Sequence, residues 1–247
     1  MKSLVLLLAL ICAPASVFAQ KIVVVNVGEI KPLSYLENGK PAGISVEILE
    51  AVARDGHYKF DYKFMPWARA QIETKEAKTI GIIPLTLTDD RKPDYVWAAE
   101  LFQQNLVFVT AHGNPAPKTM AEALKLKIGL LRGNQAEKLL PAAAQIELVA
   151  TGAQNAQKLQ AKRIDTWLVS EFGAVPLWKD AGGDAKELKF GLAFGEPARV
   201  FLGGGLDFSK KDAAAIDATV KQLHKDGTVA KILAKYRLNS GIDVPKN

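Results

Sequence analysis

The chain has 247 residues, of which 49% are hydrophobic and 23% are charged, and these values are typical of globular proteins. Its formal net charge is +6, but the lysines are scattered and do not cluster with aromatic residues, so no nucleic-acid partner is expected. The three histidines, His57, His112 and His224, lack metal-ligand spacing, and we expect neither a metal nor another cofactor.

The first nineteen residues have the pattern of a cleaved secretory signal. Lys2 precedes an apolar run over residues 4–11, and a small residue, Ala19, ends the segment. The run is too short to span a bilayer as a stable helix. We therefore predict cleavage near Ala19 and an exported protein. The single cysteine of the sequence, Cys12, lies in the removed segment, so disulfides and a thiol nucleophile are not expected.

The first third of the mature chain alternates between strand and helix patterns. Residues 21–27 are a continuous β-branched run, typical of a strand buried on both faces, and residues 59–65 and 79–84 read as further strands. Helical patterns over residues 44–54 and 67–76 separate these strands. This order predicts a mostly parallel sheet with helices on both faces.

A second unit of the same kind follows. The sequence predicts strands at residues 106–110, 127–131 and 165–170, and helices at residues 120–124, 136–140 and 154–163. An extended segment at residues 200–205 and two further helices complete the pattern.

One segment places anion-binding side chains at the end of a strand. Residues 80–91 read IGIIPLTLTDDR, so Thr86, Thr88 and Arg91 follow an apolar run. The guanidinium can donate two parallel hydrogen bonds to a planar anion, and hydroxyl and backbone N–H groups can complete a carboxylate or phosphate clamp. The same residues also suit a threonine-capped helix start, in which the arginine is solvated or paired with the two aspartates.

A second possible anion site follows the strand predicted at residues 127–131. Gly133 allows a tight turn, and the backbone N–H groups of Asn134 and Gln135 then point outward at the start of a helix.

Six segments occur in the order, and at roughly the spacing, of one family. They are residues 32–43, 65–69, 86–91, 129–135, 165–170 and 225–236. In these segments the chain resembles the bacterial extracellular solute-binding proteins of family 3, the receptors that deliver polar amino acids and related solutes to ABC importers. The resemblance covers essentially all of the mature chain.

The resemblance implies an α/β, two-lobed periplasmic binding protein fold of type II, with mostly parallel sheets flanked by helices. The first lobe would comprise residues 20–110 and 199–247, and the second lobe residues 111–198. Two crossings, near residues 106–110 and 199–203, would form the hinge about which the lobes close.

The resemblance also assigns roles in the first lobe. Arg91 matches the arginine that grips the ligand carboxylate, and Thr86 matches a hydroxyl donor to the same group. Thr88 matches as well, although it could simply cap the following helix. Trp67 falls near the aromatic residue that lies over the ligand side chain, but it also suits a buried core position. Arg69 is a weaker candidate that suits a surface ion pair.

Two departures from the family pattern lie in the second lobe. Asn134 and Gln135 stand where paired threonines are usual, and they keep backbone donors while adding amide groups. Ser170, followed by Glu171, stands where an aspartate usually binds the ligand ammonium. A serine alone leaves a cation without a counter-charge. Either Glu171 turns inward, against the alternation of strand side chains, or the ligand is not a standard α-amino acid.

The function that the resemblance implies is capture of a small carboxylate-bearing solute, an amino acid or related compound, for delivery to a membrane permease. We expect a periplasmic monomer that is not an enzyme. One alternative is a dehydratase-like enzyme on the same scaffold, for which Glu29 and Glu171 could act as general acid or base. The other alternative is a ligand sensor that docks on a membrane partner.

Overall fold

Strands and helices alternate along most of the chain, of which the computed structural model describes residues 20–54 and 56–240. The strands are β1 (Lys21–Gly28), β2 (Tyr35–Glu37), β3 (Lys40–Ala42), β4 (Tyr58–Met65), β5 (Gly81–Thr86), β6 (Val96–Gln104), β7 (Leu106–Thr110), β8 (Lys127–Leu131), β9 (Gln145–Val149), β10 (Thr166–Ser170), β11 (Lys189–Ala193) and β12 (Ala198–Gly204). The helices are α1 (Ile44–Ala53), α2 (Trp67–Ala77), α3 (Met120–Ala123), α4 (Ala136–Leu139), α5 (Gly152–Gln160), α6 (Ala174–Asp180), α7 (Lys210–Lys225) and α8 (Thr228–Ser240).

The secretory signal predicted over residues 1–19, with Cys12, lies outside the described residues. Within the described ranges, the helices are too short or too polar to cross a membrane.

The first sheet has the strand order β4-β1-β5-β12-β6. Strand β1 pairs in parallel with both β4 and β5, as the alternating pattern predicts. Strand β12 comes from late in the chain and pairs antiparallel with β5 and β6. Helices α1, α7 and α8 pack against one another beside this sheet, and together these elements form the first lobe.

The second sheet has the order β11-β7-β10-β8-β9. Strand β8 pairs in parallel with β9 and β10, whereas β7 pairs antiparallel with β10 and β11. With helices α3 to α6, this sheet forms the second lobe. The sheets are therefore mixed, because the strands next to the lobe crossings add antiparallel pairs to the predicted parallel ones.

The chain crosses between the sheets at Asn105, between β6 and β7, and again at residues 194–197, between β11 and β12. These crossings lie a few residues before the segments predicted as the hinge. Residues 106–110, which the predicted boundary assigned to the first lobe, are hydrogen-bonded into the second sheet. The apolar pattern of β7 is the same on either side of such a boundary, so sequence could not place it.

One aromatic residue of the second lobe belongs to the core of the first. Phe172 follows β10, is 1% exposed and packs in the cluster that contains Leu101, Phe102 and Tyr236. Its ring meets that of Phe102 edge to face, with centroids 6.3 Å apart, and the Arg237 guanidinium lies 5.5 Å from its centroid. The lobes are thus joined by a buried side chain as well as by the two crossings.

We expect Phe172→Ala to lower the free energy of unfolding by about 3–5 kcal/mol, because the lost ring leaves a cavity that its neighbours cannot fill. Urea unfolding followed by circular dichroism would measure the change. Ile72→Ala, at a side chain that is 58% exposed, is the control and should cost less than about 0.5 kcal/mol. An equally small loss for Phe172→Ala would contradict its place in the core.

Candidate binding cleft

A cleft lies between the two lobes and encloses about 720 Å³ of empty space, part of it open to solvent. The first lobe lines it with Ile30, Lys31, Leu33, Trp67, Pro84, Thr86, Arg91 and Gln104. The second lobe lines it with Leu106, Leu131, Asn134, Gln135, Gly152, Trp167, Leu168, Val169, Ser170 and Leu177.

The cleft forms where parallel strands of both sheets end. Ile30 follows β1 and Thr86 ends β5 in the first lobe, whereas Asn134 follows β8 and Ser170 ends β10 in the second. Carboxyl ends of parallel strands lie on the same edge of a sheet, so polar groups converge there while the rest of each strand stays packed.

Arg91 lies deep in this cleft and is only 8% exposed. Its Nη1 donates to the carbonyl oxygen of Thr86 at 3.2 Å, and its Nη2 donates to the carbonyl oxygen of Gly133 at 2.8 Å. Burial lowers the pKa of Arg91, and Tyr95, Asp90 and Glu137 oppose that shift, but an arginine remains protonated. These two bonds use two of its five N–H donors, so the guanidinium keeps donors for an anion.

The Gly133 carbonyl joins the two lobes, because it accepts three hydrogen bonds from the first lobe. Besides Arg91, the indole Nε1 of Trp67 donates to it at 3.0 Å and Nε2 of Gln71 at 3.2 Å. The backbone N–H of Gly133 in turn donates to the Glu137 carboxylate in the second lobe.

Position 133 requires glycine for two reasons. Its φ is +78°, a conformation that other residues adopt at a cost. In addition, a Cβ at this position would lie 2.7 Å from Nε2 of Gln71 in the opposite lobe. The tight turn predicted from sequence is therefore present, and a side chain at this position would displace the amide of Gln71.

Trp67 is both a lining residue of the cleft and a buried core residue. It lines the cleft, yet it is 4% exposed and packs in an apolar cluster with Ala70, Leu85, Tyr95 and Leu131. The Arg91 guanidinium lies 5.8 Å from its ring centroid, within the range of a cation–π contact. Trp67 therefore helps to orient Arg91, because its ring contacts the guanidinium. Burial also raises the pKa of Tyr95 to about 12, while the positive charge of Arg91 acts in the opposite direction.

Three sequence candidates of the first lobe lie outside the cleft lining. The Thr88 hydroxyl donates to Asp90 at 2.6 Å, and no α-helix begins there, since only a 3₁₀ turn follows at Lys92–Asp94. Arg69 is exposed and pairs with Glu73 one helical turn away, as its surface alternative predicted. Glu29 is exposed at the outer mouth of the cleft.

In the second lobe, the two amide residues line the cleft as expected. Oδ1 of Asn134 accepts from the backbone N–H of Ala136 at 2.9 Å, so part of this side chain is used to start α4. Gln135 reaches both the cleft and the groove beside it.

Ser170 lines the cleft, whereas Glu171 does not. The Ser170 hydroxyl donates to Oε1 of Gln104 at 2.5 Å and accepts from the backbone N–H of Phe172 at 3.2 Å. Glu171 is turned toward the first crossing, where its carboxylate accepts from the backbone N–H of Asn105 at 2.8 Å and from its side chain at 3.3 Å. The prediction that Glu171 lies in the cleft is therefore wrong. Side chains alternate along a strand, and Glu171 points toward the first crossing.

Among the polar and aromatic residues of the lining, sequence reasoning missed three: Lys31, Gln104 and Trp167. Trp167 lies in a strand that was predicted, three residues before Ser170, but inward and outward faces could not be assigned. Gln104 ends β6, a strand that the sequence pattern did not predict. Lys31 follows β1 and could have been found from that position alone.

Two ion pairs also join the lobes at the flanks of the cleft. Lys31 lies 2.5 Å from Asp180 on one flank, and Lys138 lies 2.5 Å from Asp90 on the other. Hydrogen bonds from Lys138 and Thr88 hold the pKa of Asp90 below its ordinary value. These side chains are largely exposed, so each pair contributes at most about 1 kcal/mol to closure.

The arrangement suits binding of a small anion. It brings together a buried guanidinium, two hydroxyls, three amides and apolar walls, and its residues can exclude water when the lobes are closed. Among the described residues, no group of three or more histidine, cysteine, aspartate or glutamate side chains could hold a metal ion.

Comparisons with known proteins agree with this geometry. The family model of the bacterial extracellular solute-binding proteins, family 3, matches residues 22–239. A probable amino-acid-binding protein of Bacillus subtilis, YxeM, is 25% identical over 221 residues, which cover 85% of this chain and 81% of that protein.

Two solved structures have a similar fold. A histidine kinase sensor domain with similarity to periplasmic binding proteins has a TM-score of 0.79 at 16% identity, covering 88% of this chain and 96% of that one. An ancestral arginine-binding protein bound to arginine has a TM-score of 0.74 at 20% identity, covering 89% and 99%.

We expect Gly133→Ala to favour an open arrangement, because the added methyl group would displace the Gln71 amide and so remove the hydrogen bond that it donates across the cleft. Small-angle X-ray scattering would detect this as a larger radius of gyration. Gly113→Ala is the matched control, since Gly113 also has a positive φ, +81°, but a methyl group added there would meet no atom within 4 Å. Both variants should lose about 1 kcal/mol of stability from backbone strain. Equal radii of gyration in the two variants would contradict the contact between position 133 and Gln71.

Proposed function

Because the chain belongs to the bacterial extracellular solute-binding proteins of family 3, we propose that it is a periplasmic receptor for a small carboxylate-bearing solute. It encloses the solute between its lobes and presents it to the permease of an ABC importer. In this proposal residues 1–19 direct export and are removed, and the receptor acts as a monomer.

The observation that carries the proposal is the position of Arg91. A buried cation costs free energy unless an anion or several acceptors compensate it. Two backbone carbonyls compensate it in part, and the guanidinium still lines a cleft that Thr86 also lines. A bound carboxylate would complete the compensation with charge-assisted hydrogen bonds.

Binding without chemical change is what the family and its relatives support, since they are binding proteins and not enzymes. The positions of the two carboxylates considered as general acid or base agree with a binding role. Glu29 is exposed at the mouth, and Glu171 is held by Asn105 at the first crossing. Neither reaches the space beside Arg91 that a substrate would occupy.

Closure supplies the rest of the mechanism. A solute that bridges Arg91 and the second-lobe wall near Ser170 would add contacts from both lobes, so it would favour the closed arrangement over the open one. The three hydrogen bonds on Gly133 and the two flanking ion pairs stabilise the same arrangement. A permease could then distinguish loaded from empty receptor by the distance between the lobes.

Native mass spectrometry of protein purified without refolding should reveal a bound small solute, whose affinity calorimetry can then measure. We expect Arg91→Met to weaken that affinity at least about 100-fold, because charge-assisted hydrogen bonds to the carboxylate are lost. Arg69→Met, which removes an exposed arginine paired with Glu73, is the matched control and should bind normally. Unchanged affinity in Arg91→Met would remove the arginine from the site.

The delivery step has a separate test. Loaded receptor should stimulate ATP hydrolysis in inverted membrane vesicles of the source organism with the receptor enclosed, and Arg91→Met should not. Stimulation of protein phosphorylation without solute uptake would instead assign the receptor to sensing.

A further inference from the structure

The charges that line the cleft are all of one sign. Among its eighteen lining residues, two are cationic, Lys31 and Arg91, and there is no aspartate or glutamate. The other polar residues of this lining are uncharged: Thr86, Gln104, Asn134, Gln135 and Ser170. The described cleft therefore offers positive charge to a ligand but no negative counter-charge.

Carboxylates near the cleft are held by other groups. Asp90 pairs with Lys138 and accepts from Thr88, and Glu137 accepts from the backbone N–H of Gly133. Glu171 accepts two hydrogen bonds from Asn105 at the crossing, where it is 6% exposed. Asp180 is paired with Lys31 at the mouth, and Glu29 lines the same outer mouth. None of these carboxylates is part of the cleft lining.

The polar groups at the Ser170 end are also committed to one another. The Ser170 hydroxyl donates its hydrogen to Gln104 and accepts from the backbone N–H of Phe172. An ammonium group has three donors that need acceptors once water is removed. Here it would meet partly used neutral oxygens in a cleft that already contains two cations.

The remaining walls are apolar on both sides. Leu33 comes from the first lobe, and Leu106, Trp167, Val169 and Leu177 come from the second. Such a surface favours the hydrocarbon part of a ligand.

We propose that the solute is a carboxylate with an apolar body and without an ammonium group, so that standard α-amino acids are weak ligands. The inference rests on the proposed function, in which Arg91 takes the carboxylate, and adds what the opposite end of the ligand must be. A desolvated ammonium without a counter-charge is unfavourable, whereas a hydrocarbon chain gains from burial at the same place.

Matched ligand pairs test this directly by calorimetry. The pairs are pentanoate and norvaline, 4-methylpentanoate and leucine, and 3-phenylpropanoate and phenylalanine, which differ only in the α-ammonium. We expect at least one of the ammonium-free acids to bind, and to bind at least about tenfold tighter than its partner. An amino acid that binds as tightly as its ammonium-free partner would overturn the inference, and so would absence of binding by all three simple acids.

A charge substitution tests the cause. Gln104→Glu keeps the shape of a residue that is 5% exposed and can still accept from Ser170, but it places a carboxylate in the lining. We expect it to shift the preference within each pair toward the amino acid by about tenfold or more. Gln103→Glu, at the exposed neighbour that donates to Glu100, makes the same charge change outside the cleft and should leave the preference unchanged. Equal effects of the two variants would overturn the inference.

The two proposals fail in different ways. Tight binding of an amino acid that Arg91→Met abolishes would refute the ligand class and leave the receptor proposal intact. Binding of any of these acids that Arg91→Met does not weaken would refute the role of the arginine, on which both proposals rest.

Discussion

The contact on which the cleft depends is the Gly133 carbonyl, which accepts hydrogen bonds from Trp67, Gln71 and Arg91 of the opposite lobe. A carbonyl oxygen buried between lobes must be paired, and here three donors satisfy it at once. The same contact fixes the indole and the guanidinium against each other. The position and orientation of the Arg91 guanidinium therefore depend on lobe closure as well as on the first lobe itself.

Much of this fold could be predicted from the sequence, because strong local patterns decided it. The β-branched run of β1 and the apolar run of β7 gave strands with nearly correct bounds. Strands β6, β9 and β11 were missed, since their alternation is irregular and each is positioned by long-range pairing. The predicted hinge segment, residues 106–110, follows the observed crossing at Asn105. The apolar pattern of β7 does not show which lobe this strand joins.

The cleft was predictable where side-chain chemistry is distinctive and less so where orientation decides. Arg91, Thr86 and Ser170 lie in its lining. The first two were identified by residue type after a strand, and Ser170 by its place in the family pattern. Two other residues depend on orientation. The carboxylate of Glu171 faces the first crossing, whereas the amide of Gln104 faces the cleft. Strand alternation already disfavoured an inward Glu171. Gln104 could not be assigned a face, because the sequence pattern did not predict strand β6.

Phe172 makes the packing of one lobe depend on the other, although each lobe has its own sheet. Because this ring sits in the core of the opposite lobe, the halves share one folding unit. A fragment cut at the crossings would carry an exposed aromatic ring, and its counterpart would carry an empty socket. Reporter proteins inserted to follow solute capture should therefore interrupt surface turns such as the one at Gly113, and split-protein designs divided at the crossings would be prone to aggregate.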